Sequence, residues 1–264
     1  MCEGPVVSGR IEGFVQFDWV FFAVAVPAVV FAGVSKGGFA SGAAFAATPI
    51  LALVLSPGEA LGLMLPLLML MDVATLRPYW RKWHGPSTRM LILGAVPGVG
   101  LGALVYKATD PDLFRLLIGV IAVGFVVWQF SRRMGWLVIT PRPIGRGAGL
   151  LAGATAGFTS FVSHAGGPPA AIYLLAQGVG KTAFQATTVI VFWIVNMLKF
   201  IPFLFLGIFT ADTVLGVLLL APFAFLGAWL GVRAHHLVPE KAFFGLTYVL
   251  LAVTGSKLIW DALA

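Results

Sequence analysis

The chain has 264 residues, 59% of them hydrophobic and only 10% charged, with a formal net charge of +7 and a mean hydropathy of +0.99. A soluble domain carries about 25% charged residues, so this composition excludes one and describes an integral membrane protein. The basic residues sit in short gaps between apolar blocks, which excludes a nucleic-acid-binding face, and the single cysteine, Cys2, excludes a disulfide or a thiolate metal cluster.

Residues 1–16 carry only Glu3 and Arg10 as charged groups before Glu12, a poor positive region for a cleaved leader, and are read as a retained tail. Beyond it, breaks at glycine, proline and charge predict ten apolar helical segments: 17–35, 39–55, 59–77, 89–106, 112–130, 147–163, 167–179, 182–206, 213–232 and 242–261. Segment 167–179 is short for a full crossing and 39–55 is marginal. Trp80, Trp83, Trp136 and Trp260 fall near segment ends as interface anchors.

The punctuation repeats. Gly37-Gly38 matches Gly166-Gly167, Asp72 and Pro78 match Asn196 and Pro202, Pro97 and Gly102 match Pro222 and Gly227, and Pro111-Asp112 matches Pro239-Glu240. Their preserved order predicts a duplication, 17–130 and 147–264, joined by a basic linker at 131–146 that holds Arg132, Arg133, Pro141, Arg142, Pro143 and Arg146. Matching loops carry opposite charge. Arg77, Arg81, Lys82 and Arg89 follow the third segment, where the other half has only Asp212; one gap later, Lys107, Asp110 and Asp112 stand against Arg233, His235, His236 and Lys241. Lysine and arginine favour cytoplasmic loops, so the expected fold class is an all-α polytopic membrane protein of two inverted repeats, each with about five segments and a break at its Gly-Gly motif. With all ten segments crossing, both termini lie outside and Lys36 lies near the inner boundary; four crossings and a re-entrant loop per half, which would put Arg233 and Lys241 outside, is the second arrangement.

The Gly-Gly stretch running into Phe39-Ala40-Ser41-Gly42 and Thr48-Pro49-Ile50-Leu51, and a second unit opening with Gly153 and Gly157 before Gly166-Gly167-Pro168-Pro169, resemble the sulfite exporter TauE/SafE family over essentially the whole chain. The resemblance implies a transporter in the bacterial inner membrane that exports sulfite, sulfonates or other small anions, and no enzyme. Lys36 and His164 stand where many members have a small residue.

Glycine lets backbone N–H groups approach a ligand, so helices starting at Phe39 and Pro168 are expected to aim positive ends at a common anion site; the alternative is that the glycines only pack helices tightly. Candidate substrate contacts are Ser35, Lys36, Gly37, Gly38, Ser163, His164, Gly166 and Gly167, with Asn196 and Lys199 one turn apart on one helix face. Asp72, the one acid deep in an apolar segment, and His164 are candidates for coupling to a proton or cation. Asp72 pairing with Arg77 or Lys36, Lys36 and Lys199 snorkelling to head groups, and a neutral His164 on a carbonyl are the structural alternatives. Gln185, Thr187 and Thr188 add polarity to the segment of Asn196. His235-His236 has no carboxylate or cysteine at ligand spacing, and no Gly-Lys-Ser/Thr loop is present, so neither a metal, a cofactor nor ATP is expected. A passive anion channel and a hydrolase using Ser160 or Ser163 with His164 are the other functional classes; the latter lacks a Gly-x-Ser-x-Gly turn. The expected partners are a small anion and membrane lipid, with a homodimer left open.

Overall fold

The computed structural model describes residues 17–38, 43–137, 144–234 and 240–264. Cys2, Glu3, Arg10, the Phe39–Gly42 stretch, Pro141, Arg142, Pro143, His235-His236 and Pro239 lie outside them. All regular structure among the described residues is helical: α1 Trp19–Gly38, a 3-10 turn Ala43–Ala46 running into α2 Ala47–Leu51, α3 Pro57–Tyr79, α4 Gly85–Ala108, α5 Pro111–Arg133, α6 Arg146–Ser163, α7 Gly167–Ala176, α8 Lys181–Phe205, α9 Ala211–Ala234 and α10 Glu240–Leu263. Seven of them, α1, α3, α4, α5, α8, α9 and α10, are long and apolar enough to cross a bilayer, and the chain is a multi-pass membrane protein. Large apolar side chains such as Leu104, Phe205 and Leu218 stand exposed on the outside of the bundle, where lipid replaces water as the solvent.

Local chemistry sets the ends. At α3, the Ser56 hydroxyl accepts from Glu59 N–H at 3.3 Å, and the Glu59 carboxylate accepts from Ser56 N–H at 2.8 Å, a capping box ahead of Pro57 at the first helical position. Asp110 caps α5 with a single bond, accepting from Leu113 N–H at 2.7 Å, ahead of Pro111.

Small residues decide which helices touch. Gly153 and Gly157 of α6 pack on Leu91, Gly94 and Ala95 of α4, while Gly33 and Gly38 of α1 pack on Ala228 and Gly231 of α9. Both pairs run in the same direction, and each joins the first helix of one half to the fourth of the other. α5 and α10 are matched helices yet run oppositely, with Gly119 against Ile259 and Gln129 bonded to Tyr248. α3 and α8 are also opposed: Asp72 meets Asn196 and the turn before α4 meets Thr187 near the start of α8. Without a hydrophobic drive between helices in lipid, such close backbone approach is what holds them. A Cβ at Gly98 would overlap the Ala154 carbonyl oxygen, whereas nothing lies within 4 Å of one at Gly100. Gly98→Ala is therefore expected to destabilise by about 1–3 kcal/mol through overpacking, and Gly100→Ala to leave thermal unfolding in detergent unchanged or slightly raised.

The ten-crossing expectation is corrected. α7 has 10 residues, about 15 Å of helix against about 30 Å of hydrocarbon, and α2 has 5. α7 instead folds back along α6: Gly149 near the start of α6 lies against the Tyr173 ring near the end of α7, and Gln177 bonds the Ile144 carbonyl. The 3-10 turn likewise packs beside Phe31 and Val34 of α1, and α2 returns the chain to the start of α3. A re-entrant hairpin reverses direction twice, as two crossings do. One end of the bundle gathers Arg81, Lys82, Arg89, Arg132, Arg133, Arg146 and Lys181. We call this the basic end.

Candidate functional site

α3 and α8 cross at the middle of the bundle, and there Asn196 Nδ2 donates to Asp72 Oδ2 at 2.7 Å. The punctuation of the sequence sets these two residues against each other. The other oxygen, Asp72 Oδ1, forms an ion pair with Lys36 Nζ, which also donates to the Leu68 carbonyl at 3.4 Å. A carboxylate this deep is expensive unless paired, and Asp72, 3% exposed, is paired on both oxygens. Its partner is Lys36 and not Arg77, which is exposed. Lys36 thus reaches the middle of α3, a correction to its expected place near the inner boundary.

A second cluster lies nearer the opposite end, around Leu61 of α3 and Lys199 of α8. α6 closes at His164 with the backbone left-handed, φ 57°, and Ala165 N–H reaches back to the Thr159 carbonyl at 3.1 Å, the closure usually made with glycine. That turn aims the imidazole between α3 and α8. His164 Nε2 lies 3.4 Å from the Leu61 carbonyl and Nδ1 lies 2.7 Å from Lys199 Nζ. A carbonyl only accepts, so Nε2 carries the hydrogen and Nδ1 accepts from the Lys199 amino group. Lys199 Nζ donates also to the Ser160 carbonyl at 3.0 Å. Fully buried at 0% exposed, it reaches no head group, and among the described residues no carboxylate stands within ion-pair distance of it.

Between the clusters is a cavity of about 70 Å³ bordered by Lys36, Asp72, Asn196 and His164, room for a few water-sized groups. Thr75, Gln185 and Thr188 carry it toward the basic end. Toward the other end it stops at His164, behind which Phe203 packs edge-on against Phe161 at 4.9 Å. Ser35 Oγ and Gln185 Oε1, both on the wall, are buried without a hydrogen-bond partner among the described residues. Orphaned polar groups on a cavity wall are what an occupant would satisfy.

The glycine motifs take a different part from the one their spacing suggests. α1 continues through Gly38, and Gly37 and Gly38 press on Ala228 and Gly231 of α9, the packing alternative. Gly166 is hemmed by Ala156, Ser160 and the Phe192 ring; Gly167 borders the cavity. The first turn of α7 holds Pro168 and Pro169, which lack N–H groups, so two of the donors a helix start normally offers are missing. Ser163 is buried and its hydroxyl donates to the Thr159 carbonyl at 3.3 Å; no serine hydroxyl bonds His164 among the described residues, which removes the nucleophilic pairing. Thr187 accepts from His84 N–H at 2.9 Å and is structural. Thr75, on the cavity wall, was missed, although spacing offers a signal: it follows Asp72 by the same three residues by which Lys199 follows Asn196.

Comparison with known proteins matches residues 25–258 to the family described as sulfite exporter TauE/SafE. No curated protein and no solved structure matches the chain.

Proposed function

Because the chain belongs to the sulfite exporter TauE/SafE family, we propose that it is a secondary transporter, and not an enzyme, that exports a small anion such as sulfite, a sulfonate or a related organic acid by alternating access around the Asp72–Asn196 crossing. The family is one of membrane exporters of sulfur compounds. The observation that carries the substrate's charge is an imbalance beside the cavity: Lys36 is paired with Asp72, while Lys199, fully buried and bonded to the His164 that borders the cavity, has no carboxylate within ion-pair distance among the described residues. An anion in the cavity, across the His164 imidazole from Lys199, supplies the counter-charge that an ammonium there lacks among the described residues. Anion occupancy and protonation of the Lys199–His164 pair therefore favour each other, as linkage requires, which couples anion movement to a proton.

The packing supports two inverted repeats. Matched helices that touch, α3 with α8 and α5 with α10, run oppositely, as a two-fold axis in the membrane plane demands; an axis along the normal would make them parallel. Exchanging the conformations of the halves would close the cavity around Thr75 and Gln185 and open it beside Lys199 and Leu61. Since α1 is zipped to α9 and α6 to α4, each hairpin moves with a helix of the other half, and the halves do not rock as separate bodies.

Sulfite flux from proteoliposomes tests the reading. Lys36→Gln is expected to lower flux on the order of tenfold or more, because a charge-assisted contact to the anion is worth about 1.5–3 kcal/mol. Flux at the wild-type level in both Lys36→Gln and a Lys199 variant would overturn it.

A further inference from the structure

The bundle has a second recognition surface, independent of what the central cavity carries. Where α5 and α10 meet at the basic end, a groove of about 380 Å³ is bordered by Gln129, Phe130, Arg132, Arg133, Phe244 and Tyr248. Its walls are built: Gln129 Nε2 donates to the Tyr248 hydroxyl at 2.6 Å and ties the helices together, and Phe244 stacks on Tyr248. The Arg132 guanidinium rides over the Trp128 ring, 5.3 Å from its centre. Among the described residues neither Arg132 nor Arg133 has a carboxylate partner.

We propose that this groove seats the phosphate of an anionic phospholipid, with the two guanidinium groups on the phosphate oxygens and the acyl chains lying along α5 and α10. Guanidinium groups match phosphate in a planar, two-pronged geometry. The same two helices expose Val120, Val127, Val249 and Val253, an apolar flank that a soluble anion would not use. The groove stands at the end whose charge marks it as cytoplasmic, the side where anionic lipids attract basic segments. The duplication supplies an internal control. Setting Pro111 against Pro239 puts Gln129, Arg132 and Arg133 against Lys257, Trp260 and Asp261, and Lys257 is already paired with Asp261. The unpaired positive charge is thus confined to one of two related positions.

Native mass spectrometry of the whole protein in detergent, titrated with phosphatidylglycerol or phosphatidylcholine, tests this. The wild type is expected to hold phosphatidylglycerol about tenfold or more tightly than phosphatidylcholine, and Arg132→Gln/Arg133→Gln to bind it about thirtyfold more weakly, roughly fivefold per arginine. Should the double variant fail to fold, Arg133→Gln alone, at an exposed position, is expected to show the single fivefold loss. Lys257→Gln is expected to change nothing. Equal retention of the two lipids, undiminished phosphatidylglycerol binding in the arginine variants, or displacement of the lipid by millimolar inorganic phosphate would each overturn the assignment.

Discussion

Replacing Lys199 with methionine is expected to lower sulfite flux on the order of a hundredfold while leaving the protein as stable as the wild type or more so. The two outcomes part because they draw on different physics. Lys199 is fully buried and held by one imidazole nitrogen and one backbone carbonyl, so its charge is costly to keep in the folded state. Exchanging such a group for an apolar side chain of similar length is neutral or stabilising by about 1–4 kcal/mol in comparable cases. An anion crossing the same region loses its counter-charge, and with it a charge-assisted contact worth about 1.5–3 kcal/mol. Thermal unfolding and proteoliposome flux on the same preparation check both halves of the expectation. A methionine variant that unfolds at lower temperature and still transports would assign Lys199 to the fold and not to the pathway.

That separation bears on what could be read from the chain. Helix positions were legible because apolar length in lipid admits few alternatives: 182–206 was expected where α8 spans Lys181–Phe205, and 112–130 where α5 spans Pro111–Arg133. Asp72, Asn196 and Lys199 were legible because polar groups in apolar segments have few places to go, and the pairing of Asp72 with Lys36 was among the options weighed. The function of the glycines was not. A Gly-Gly pair serves equally to admit a ligand or a neighbouring backbone, and spacing alone does not show that Gly37 and Gly38 lie against Ala228 and Gly231 of α9. The re-entrant hairpins were hidden for a related reason. Loop charge counts reversals of direction, and a hairpin that enters and returns leaves the same count as two crossings. The partners of Lys199, from α6 at Ser160 and His164, belong to contacts 39 and 35 residues away in sequence, beyond the reach of local spacing.

His164 gives the second large effect, and its backbone makes the test unusually clean. The residue ends α6 with φ 57°, a conformation that costs a residue with a Cβ about 1–2 kcal/mol and glycine almost nothing. His164→Ala and His164→Gly delete the same imidazole, with its contacts to Lys199 and the Leu61 carbonyl, so both are expected to lose sulfite flux on the order of tenfold or more. Their stabilities should differ in the direction opposite to that of a helix interior, where glycine is worse than alanine by about 1 kcal/mol. Here glycine is expected to be the more stable by about 1 kcal/mol, seen as a melting temperature a few degrees higher. If that order holds and flux is lost in both, the loss belongs to the imidazole and not to a damaged turn. If His164→Gly recovers flux that His164→Ala lacks, the turn alone matters, and coupling through the Lys199–His164 pair falls.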